Sequence, residues 1–277
     1  MLVVGAGAEA GAAELGALRP VAARVWRAVA EPESVTIGVI AGDDGALVVD
    51  TGSTPAQGAA IRRAAEAAAG VPVVAVAVTH GHYDHLFGLS GFAGLPSYGH
   101  SCADAWLAGS EAVRAAAELG LDVAELATPS IRFSLARTLD LGGRRVELVH
   151  FGPAHTDGDI VAFVPDADVV FVGDLLESAG PPSFGDDCSF DGWPGALDGV
   201  LGALGEHTVV VPGHGGPMGR VAVFEQRARI AALPRTAADL VRRGVAAADA
   251  LESAEWPFPD EVVEPLLPRL WALSAER

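Results

Sequence analysis

The sequence predicts an α/β fold of four layers, αββα, with a C-terminal helical extension. Two strand-rich stretches, one from about Val35 and one from about Ser130, each carry helices. Two sheets packed face to face, with helices outside, are a stable solution for such halves. The 277 residues suffice for one large body, since half of them are hydrophobic. From Pro217 onward the pattern is helical, which predicts the extension.

The first half contains two β-rich runs separated by GDDG at 42–45, a spacing typical of a hairpin. The following TPAQGAAIRRAAEAAAG predicts a helix, because threonine and proline stand at its start and Gly70 at its end. An apolar strand at 73–78 leads directly into THGHYDH, residues 79–85. The segment 101–119 is rich in alanine and helical in character.

The second half is denser in strands. Its β-rich runs are SIRFSL, RTLDL, RRVELVHF, DIVAFV and ADVVFVGD. WPGALDGVLGALG then predicts a helix, HTVVV a last buried strand, and three helical segments broken by Pro234 and PFPD complete the chain. We predict a flexible N-terminal segment at 1–20, a main domain at 21–232 and a helical extension at 233–277. The extension would form either a small cap near the site or a homodimer contact.

Charge and composition exclude several partners. The 36 acidic residues against 18 arginines, with no lysine, give a net charge of -18, which repels nucleic acid and anionic membranes. No apolar run approaches the roughly 20 residues of a membrane span, and the start lacks the basic region of a secretion signal. We therefore expect a cytoplasmic protein without nucleic acid or membrane partners. Cys102 and Cys188 stand alone, so we interpret both as buried small hydrophobes.

The stretch THGHYDH places three histidines and an aspartate within six residues, at the end of a predicted strand. In the spacing H-x-H-x-D-H, the side chains of His80 and His82 can bind one metal ion. Those of Asp84 and His85 can bind another. Imidazole suits zinc and related metals, and a tetrahedral catalytic site takes about three protein ligands and leaves one position for water. One loop could therefore seed two metal sites, each of which needs partners from elsewhere in the chain.

Three further residues stand at comparable places. His155 lies in GPAHTDGD between two predicted strands, whereas Asp174 in VGD and His214 in PGHG each follow a strand. Binding groups of α/β proteins collect on loops at the C-terminal ends of strands, so we expect these residues near the histidine-rich loop. Asp50, in VVDTG, is interpreted as a residue that orients this loop.

These motifs resemble those of the metallo-β-lactamase fold superfamily, in particular its glyoxalase II-like, two-metal branch. The resemblance runs from about Val35 to Gly216 and implies the metallo-β-lactamase fold, with 21–232 as the catalytic domain. It also implies two divalent metal ions, with Zn2+ favoured and iron or manganese as alternatives. Carried over by motif, His80, His82 and His155 would bind the first metal, Asp84, His85 and His214 the second, and Asp174 would bridge both.

A binuclear metallo-hydrolase is the activity that this resemblance implies. Metal ions lower the pKa of bound water to about 7, so a metal-bridging hydroxide would attack an ester-type carbonyl in a small molecule. A thioester, lactone or ester fits better than an amide, and Asp84 and Asp174 would be the catalytic carboxylates. β-Lactam hydrolysis is a weaker alternative, because many true β-lactamases carry cysteine or serine where Asp174 stands.

An oxidative alternative stays open. Persulfide dioxygenase relatives use a single iron held by two histidines and an aspartate, which would be His80, His155 and Asp174. This set is contained within the set for two zinc ions, so the ligands alone do not separate the two reactions.

Other residues near these motifs receive simpler interpretations. The aromatic Phe184, Phe190 and Trp193 lie in a glycine-rich loop and either line an apolar substrate pocket or anchor the loop. We interpret four nearby acids as turn formers or solvated residues: Asp157, Asp159, Asp186 and Asp187. Three histidines are interpreted as surface or hydrogen-bonded residues: His100, His150 and His207.

Overall fold

The computed structural model of the protein describes residues 14–275, which form twelve β-strands and nine α-helices. The strands are β1 (Arg19–Ala22), β2 (Val25–Ala30), β3 (Val35–Ala41), β4 (Ala46–Val49), β5 (Val73–Ala77), β6 (Ser97–His100), β7 (Ile131–Phe133), β8 (Ala136–Asp140), β9 (Arg145–Val149), β10 (Val161–Val164), β11 (Val169–Glu177) and β12 (Val209–His214). The helices are α1 (Pro55–Ala69), α2 (Tyr83–Leu86), α3 (Ala103–Trp106), α4 (Ser110–Glu118), α5 (Gly192–Ala203), α6 (Arg220–Arg242), α7 (Ala250–Ser253), α8 (Asp260–Val263) and α9 (Leu267–Ala275).

Three apolar clusters separate four layers, as predicted. Strand residues alternate between the clusters: in β4, Val48 packs toward the layer of α1, whereas Leu47 packs toward the other half of the protein. In β11, Phe171 joins Leu47 in the central cluster, and Val170 packs with α5 and α6. This period of two is the signature of sheets buried on both faces, with helices outside.

The two halves meet through a single strand pair. The strand order is β7-β6-β5-β4-β3-β12-β11-β10-β9-β8, with β2 also on β3 and β1 on β2. Only one residue pair, His214 with Val35, joins β12 to β3. The parallel strands β4 and β5 end on the side of this junction. Asp50 follows β4, and His80 follows β5. The polar residues of both halves are thereby brought to one edge.

Local signals in the first half act as predicted. GDDG connects the antiparallel β3 and β4. Thr54 caps α1 by accepting a hydrogen bond from the Gln57 backbone N–H at 3.2 Å, and Gly70 ends the helix with a φ of 68°. Residues 1–13 of the predicted flexible segment lie outside the described residues. Residues 14–20 run antiparallel beside β2, and the Gly16 N–H donates to the Val29 carbonyl at 2.7 Å.

The predicted break at Pro234 is wrong. Helix α6 continues through this residue, although proline removes one helical hydrogen bond. Pro234 is buried, and its neighbours Ile230 and Leu233 pack in the same apolar cluster as α5 and α9, which stabilises the helix across the defect. The helix also crosses the boundary drawn between residues 232 and 233, and the division into domains stays a prediction. None of the described helices is long and apolar enough to cross a membrane.

The C-terminal helices pack on the outer face of the second half. Leu270 of α9 and Val263 of α8 lie in the apolar cluster that contains Trp193. The guanidinium of Arg269 donates hydrogen bonds to the carbonyls of Gly185 (2.6 Å) and Cys188 (2.9 Å). This extension therefore supports the loop at 183–191 from behind.

Candidate metal centre and adjoining cavity

All seven predicted ligand residues lie at one edge of the fold. His80 follows β5, and His82 immediately precedes the short helix α2, which contains Asp84 and His85. The other three come from the second half: His155 from the turn between β9 and β10, Asp174 from within β11, and His214 from the end of β12. The structure brings these side chains together in two adjoining groups.

The first group gathers His80, His82, His155 and Asp174, whose ligand-type atoms lie within 4.8 Å of one another. His155 Nε2 lies 3.0 Å from His82 Nδ1 and 3.6 Å from Asp174 Oδ2. His80 Nε2 lies 3.8 Å from the same aspartate oxygen. Three imidazoles and one carboxylate are a donor set suited to zinc, iron or manganese.

The second group contains Asp84, His85 and His214. His214 Nε2 lies 3.2 Å from Asp84 Oδ2, and His85 Nε2 lies 3.5 Å from the same oxygen. Asp174 also reaches this group, since its Oδ1 lies 3.2 Å from His85 Nε2 and its Oδ2 lies 3.5 Å from His214 Nε2. It touches members of both groups, which is the position that a bridging ligand needs. A side chain at Gly213 would collide with this carboxylate, since its Cβ would come within 1.8 Å of Oδ1.

Unsatisfied buried atoms test whether a cation fits. Within the described part of the chain, Nε2 of His80 and His85 and Oδ1 of Asp174 are buried without a hydrogen-bond partner. Each such atom costs about 1–3 kcal/mol, so folded proteins rarely leave several together. These atoms belong to residue types that bind divalent metals, and a cation among them would satisfy all three. The residues present therefore fit the implied metal ions.

The protonation equilibria agree with this fit. Burial lowers the pKa of His155 to about 4 and holds the pKa of His80 well below its usual value, so both rings are neutral and keep a lone pair. Burial alone would raise the pKa of Asp174, but the charge of neighbouring His85 and the close contact with His214 hold it well below its usual range. Hydrogen bonds to Asp174 and Asp84 outweigh burial at His214 and raise its pKa to about 10. Bound cations would replace protons on the second group.

Outer contacts orient the imidazoles. His85 Nδ1 lies 2.8 Å from Asp50 Oδ2, and Asp50 also accepts hydrogen bonds from the backbone N–H and hydroxyl of Thr79 at 2.7 and 2.9 Å. His155 Nδ1 lies 3.2 Å from the Ser183 carbonyl, which can only accept. Protons on these Nδ1 atoms leave Nε2 of both rings free to bind a metal. Asp50 thus occupies the orienting position expected from the sequence.

Replacing Asp50 by asparagine is expected to weaken metal binding at the second group about 10- to 100-fold. The amide keeps the shape and tolerates the left-handed backbone of residue 50, where φ is 64°, but its NH2 cannot accept the proton of His85 Nδ1. Competition titration against a chelator measures the affinity. Asp44→Asn, in the exposed turn of the same hairpin, is the matched control, and equal affinities of the two variants would refute the orienting role.

Two of the acids interpreted as solvated make specific contacts. Asp187 Oδ2 lies 3.4 Å from His82 Nε2. Asp159 is buried, accepts hydrogen bonds from the N–H and hydroxyl of Thr156 at 2.9 Å each, and thereby shapes the turn of His155. Burial raises the pKa of Asp159 to about 7. The Asp159 contacts lie within one turn and agree with its interpretation as a turn former. The Asp187 contact joins two distant segments, so the sequence carries no signal for it.

The aromatic side chains of the segment 184–193 pack into an apolar cluster. Trp193 is fully buried, and its indole N–H donates to the Leu175 carbonyl at 3.1 Å. Phe190 is also buried, and Phe184 contacts both rings as well as Phe258. The burial of Trp193 and Phe190 therefore favours the anchoring interpretation. Large aromatic side chains among glycines fit both interpretations in sequence, and only the packing of α8 and α9 separates them.

A cavity of about 330 Å³ adjoins the first group, with His82 in its wall. Its aromatic residues are Tyr83 and Trp106, neither of which was assigned from the sequence. Cys102 also lines it and is partly exposed, so the prediction of a buried hydrophobe holds only for Cys188. No residue from the C-terminal helices lines this cavity in the described part of the chain, so they do not cap it.

The histidines left unassigned stay apart from the centre. The rings of His100 and His150 stack with centroids 4.1 Å apart, and His150 Nδ1 donates to the Asp159 carbonyl at 2.9 Å. Both therefore make the structural contacts expected for isolated histidines.

Known proteins resemble this chain in sequence. The family model "Metallo-beta-lactamase superfamily" matches residues 30–215. A "Metallo-beta-lactamase type 2" of Bacteroides fragilis is 29% identical over 103 residues, which cover 35% of this chain and 41% of that protein. The "Probable metallo-hydrolase YqgX" of Bacillus subtilis (strain 168) is 28% identical over 164 residues, 53% of this chain and 70% of that protein. The chain thus spans less than half of the Bacteroides protein that it matches.

Solved structures resemble the fold. A metallo-beta-lactamase from Pontibacter korlensis superposes with a TM-score of 0.62 at 21% identity, and covers 78% of this chain and 99% of its own. A metallo-beta-lactamase from Hirschia baltica gives a TM-score of 0.59 at 22% identity, with 77% and 96% covered. At these identities the similarity concerns the fold.

Proposed function

The protein belongs to the metallo-beta-lactamase superfamily, and from this membership we propose that it is a binuclear metal-dependent hydrolase acting on an ester-type carbonyl of a small molecule. The observation that carries the proposal is the pair of adjoining donor groups that share contacts with Asp174. A single-metal site would need only one group. Here both are complete, with four and three side chains that carry metal-type donor atoms.

The proposed roles follow from contacts. Two divalent ions, when bound, would supply a water nucleophile at neutral pH and polarise the carbonyl. His80, His82 and His155 would hold one ion, Asp84, His85 and His214 the other, and Asp174 both. Asp174 and Asp84 would set the charge of the centre, and Asp50 would keep the His85 ring in place. We favour Zn2+ because imidazole dominates the donor set, and iron or manganese would also fit.

Thioesters, lactones and simple esters are the favoured substrates, as in the glyoxalase II-like branch. The cavity next to His82 has Tyr83 and Trp106 as apolar walls, and among the described residues no arginine lines it. The carboxylate that β-lactam antibiotics carry would find no guanidinium group there. This disfavours β-lactam hydrolysis as the main activity, although three relatives carry the name metallo-beta-lactamase type 2.

Metal content per chain tests the proposal most directly. Protein purified without chelator is expected to contain about two metal ions per chain by elemental analysis, and to hydrolyse members of a panel of thioesters, lactones and nitrocefin. Treatment with a chelator should abolish hydrolysis, and readdition of zinc or manganese should restore it, because the nucleophile depends on the metal.

The opposite result would identify the oxidative alternative. About one iron per chain, no hydrolysis and oxygen uptake with persulfides would mean that His80, His155 and Asp174 hold a single ion. In that case the binuclear hydrolase is wrong. The complete second group is the structural observation that favours two ions over one.

A further inference from the structure

Four carboxylates surround the cavity next to His82. Glu111 lies in the first turn of α4, Asp157 in the His155 turn, and Asp186 and Asp187 in the loop before α5. They come from three separate segments of the chain, so their convergence is a property of the folded cavity rather than of one acidic run. All four are exposed to solvent at the cavity.

Positive side chains do not balance these acids. Among the described residues no arginine lines the cavity, and no ion pair joins an arginine to any of the four acids. The nearby arginines are engaged elsewhere: Arg114 with Glu118, Arg132 with Asp104, and Arg269 with the carbonyls of Gly185 and Cys188. Asp187 contacts the His82 imidazole, and the other three acids have no arginine partner in the described part of the chain, so the cavity presents a negative field to any molecule that enters it.

The acids reach the side of the cavity that faces the donor groups. Asp187 Oδ2 lies 3.4 Å from His82 Nε2. His82 belongs both to the cavity wall and to the first donor group. A molecule held in the cavity would thus lie beside the proposed hydrolytic centre, which distinguishes this cavity from an acidic patch on the surface.

An aromatic wall complements the charges. Trp106 is partly buried, and its ring packs so closely on Gly81 that a Cβ there would come within 2.4 Å of it. Tyr83 stands in the same lining. Indole and phenol faces attract ammonium groups, and such contacts contribute about 0.5–1 kcal/mol at exposed sites. Aromatic walls among carboxylates are well suited to a positively charged amine and poorly suited to an anion.

We infer that this cavity selects substrates whose non-reacting part carries an ammonium group, primary or quaternary, which the acids and Trp106 hold while the ester-type carbonyl lies beside His82. The inference rests on the proposed function and narrows its substrate class. Neutral esters would be poorer substrates, and esters that carry a carboxylate the poorest.

A matched pair of thioesters tests the charge alone. Acetylthiocholine and S-(3,3-dimethylbutyl) thioacetate have nearly the same shape, but only the first carries a positive charge. With the metal-loaded protein, kcat/KM for the cationic ester is expected to exceed that for the neutral ester at least about tenfold at low salt. The ratio should fall as ionic strength rises, because salt screens exposed charges. A ratio near one at all salt concentrations would overturn the inference.

Substitutions in the cavity test which residues cause the preference for the cationic ester. Glu111→Gln and Trp106→Leu should each lower the ratio about two- to fivefold, and Glu111→Gln combined with Asp157→Asn and Asp186→Asn should bring it close to one. Glu225→Gln, an exposed glutamate on α6 outside the cavity, removes the same charge and should leave the ratio unchanged. An equal loss in Glu111→Gln and Glu225→Gln would show a general charge effect and would overturn the cavity assignment.

Binding to the metal-free protein separates this inference from the proposed function. Choline should bind and change the tryptophan fluorescence of the full chain, whereas 3,3-dimethylbutanol should bind more weakly. Trp106→Leu and the triple acid variant should lose the difference. If the holoprotein hydrolyses neither thioester but choline binds selectively, the hydrolase proposal fails and the cation site stands. Hydrolysis of both thioesters without any preference for the cation would support the hydrolase and overturn the cation site.

Discussion

Hydrolysis is expected to fall at least about 100-fold when Asp174 is replaced by alanine, together with a loss of bound metal. Even side chains that only orient metal ligands typically account for 10–100-fold in affinity or activity. Asp174 does more, since its oxygens lie 3.2–3.8 Å from His80, His85, His155 and His214. Its removal would separate the two groups and leave His85 buried without this counter-charge.

Elemental analysis and thioester hydrolysis of the same preparation measure this effect. Asp260→Asn, an exposed aspartate in α8, is the control for loss of a carboxylate, and its metal content and activity should match the unmodified protein. Retention of two metal ions and of activity in Asp174→Ala would contradict the bridging assignment. A circular dichroism spectrum equal to that of the unmodified protein would show that the variant is folded.

Replacing Trp193 by alanine should lower the free energy of unfolding by about 3–5 kcal/mol. The indole is completely buried, packs 5.4 Å from the His155 ring and donates a hydrogen bond to Leu175. Its loss leaves a large void and an unpaired carbonyl, and the surrounding helices cannot fill this space without moving.

Urea unfolding measures the change for Trp193→Ala against Phe224→Ala. Phe224 lies on α6 with 61% of its surface exposed, so its truncation should change stability by less than about 0.5 kcal/mol. A large increase in KM with unchanged stability in Trp193→Ala would instead restore the pocket role that the packing argues against.

The seven donor residues could be placed together from sequence because most of them follow or end a strand, whereas Asp174 lies within β11. The apolar run before THGHYDH and the strands before VGD and PGHG identify one edge of a layered fold. Asp50 could be placed for the same reason, since its strand is parallel to the one before His80. The family resemblance then added the division into two groups.

The features that could not be predicted from the sequence depend on packing between different segments of the chain. Pro234 looks like a helix break, but burial of its neighbours outweighs the local penalty. The sequence suggests that Asp187 is solvated, but the folded loop places its carboxylate beside His82. The cavity joins Trp106, Glu111 and Asp157 across three segments with no common spacing. Local patterns carry no information about such pairings, because they are set by packing.

The narrow junction between the two halves has a consequence for their cohesion. Backbone pairing across it amounts to one residue pair, His214 with Val35. The first half contributes His80, His82, Asp84 and His85 to the centre, and the second contributes His155, Asp174 and His214. Metal ions bound there would be cross-links between two lobes. The affinity for metal and the free energy needed to separate the lobes would then be thermodynamically linked. Metal binding would therefore also stabilise the fold.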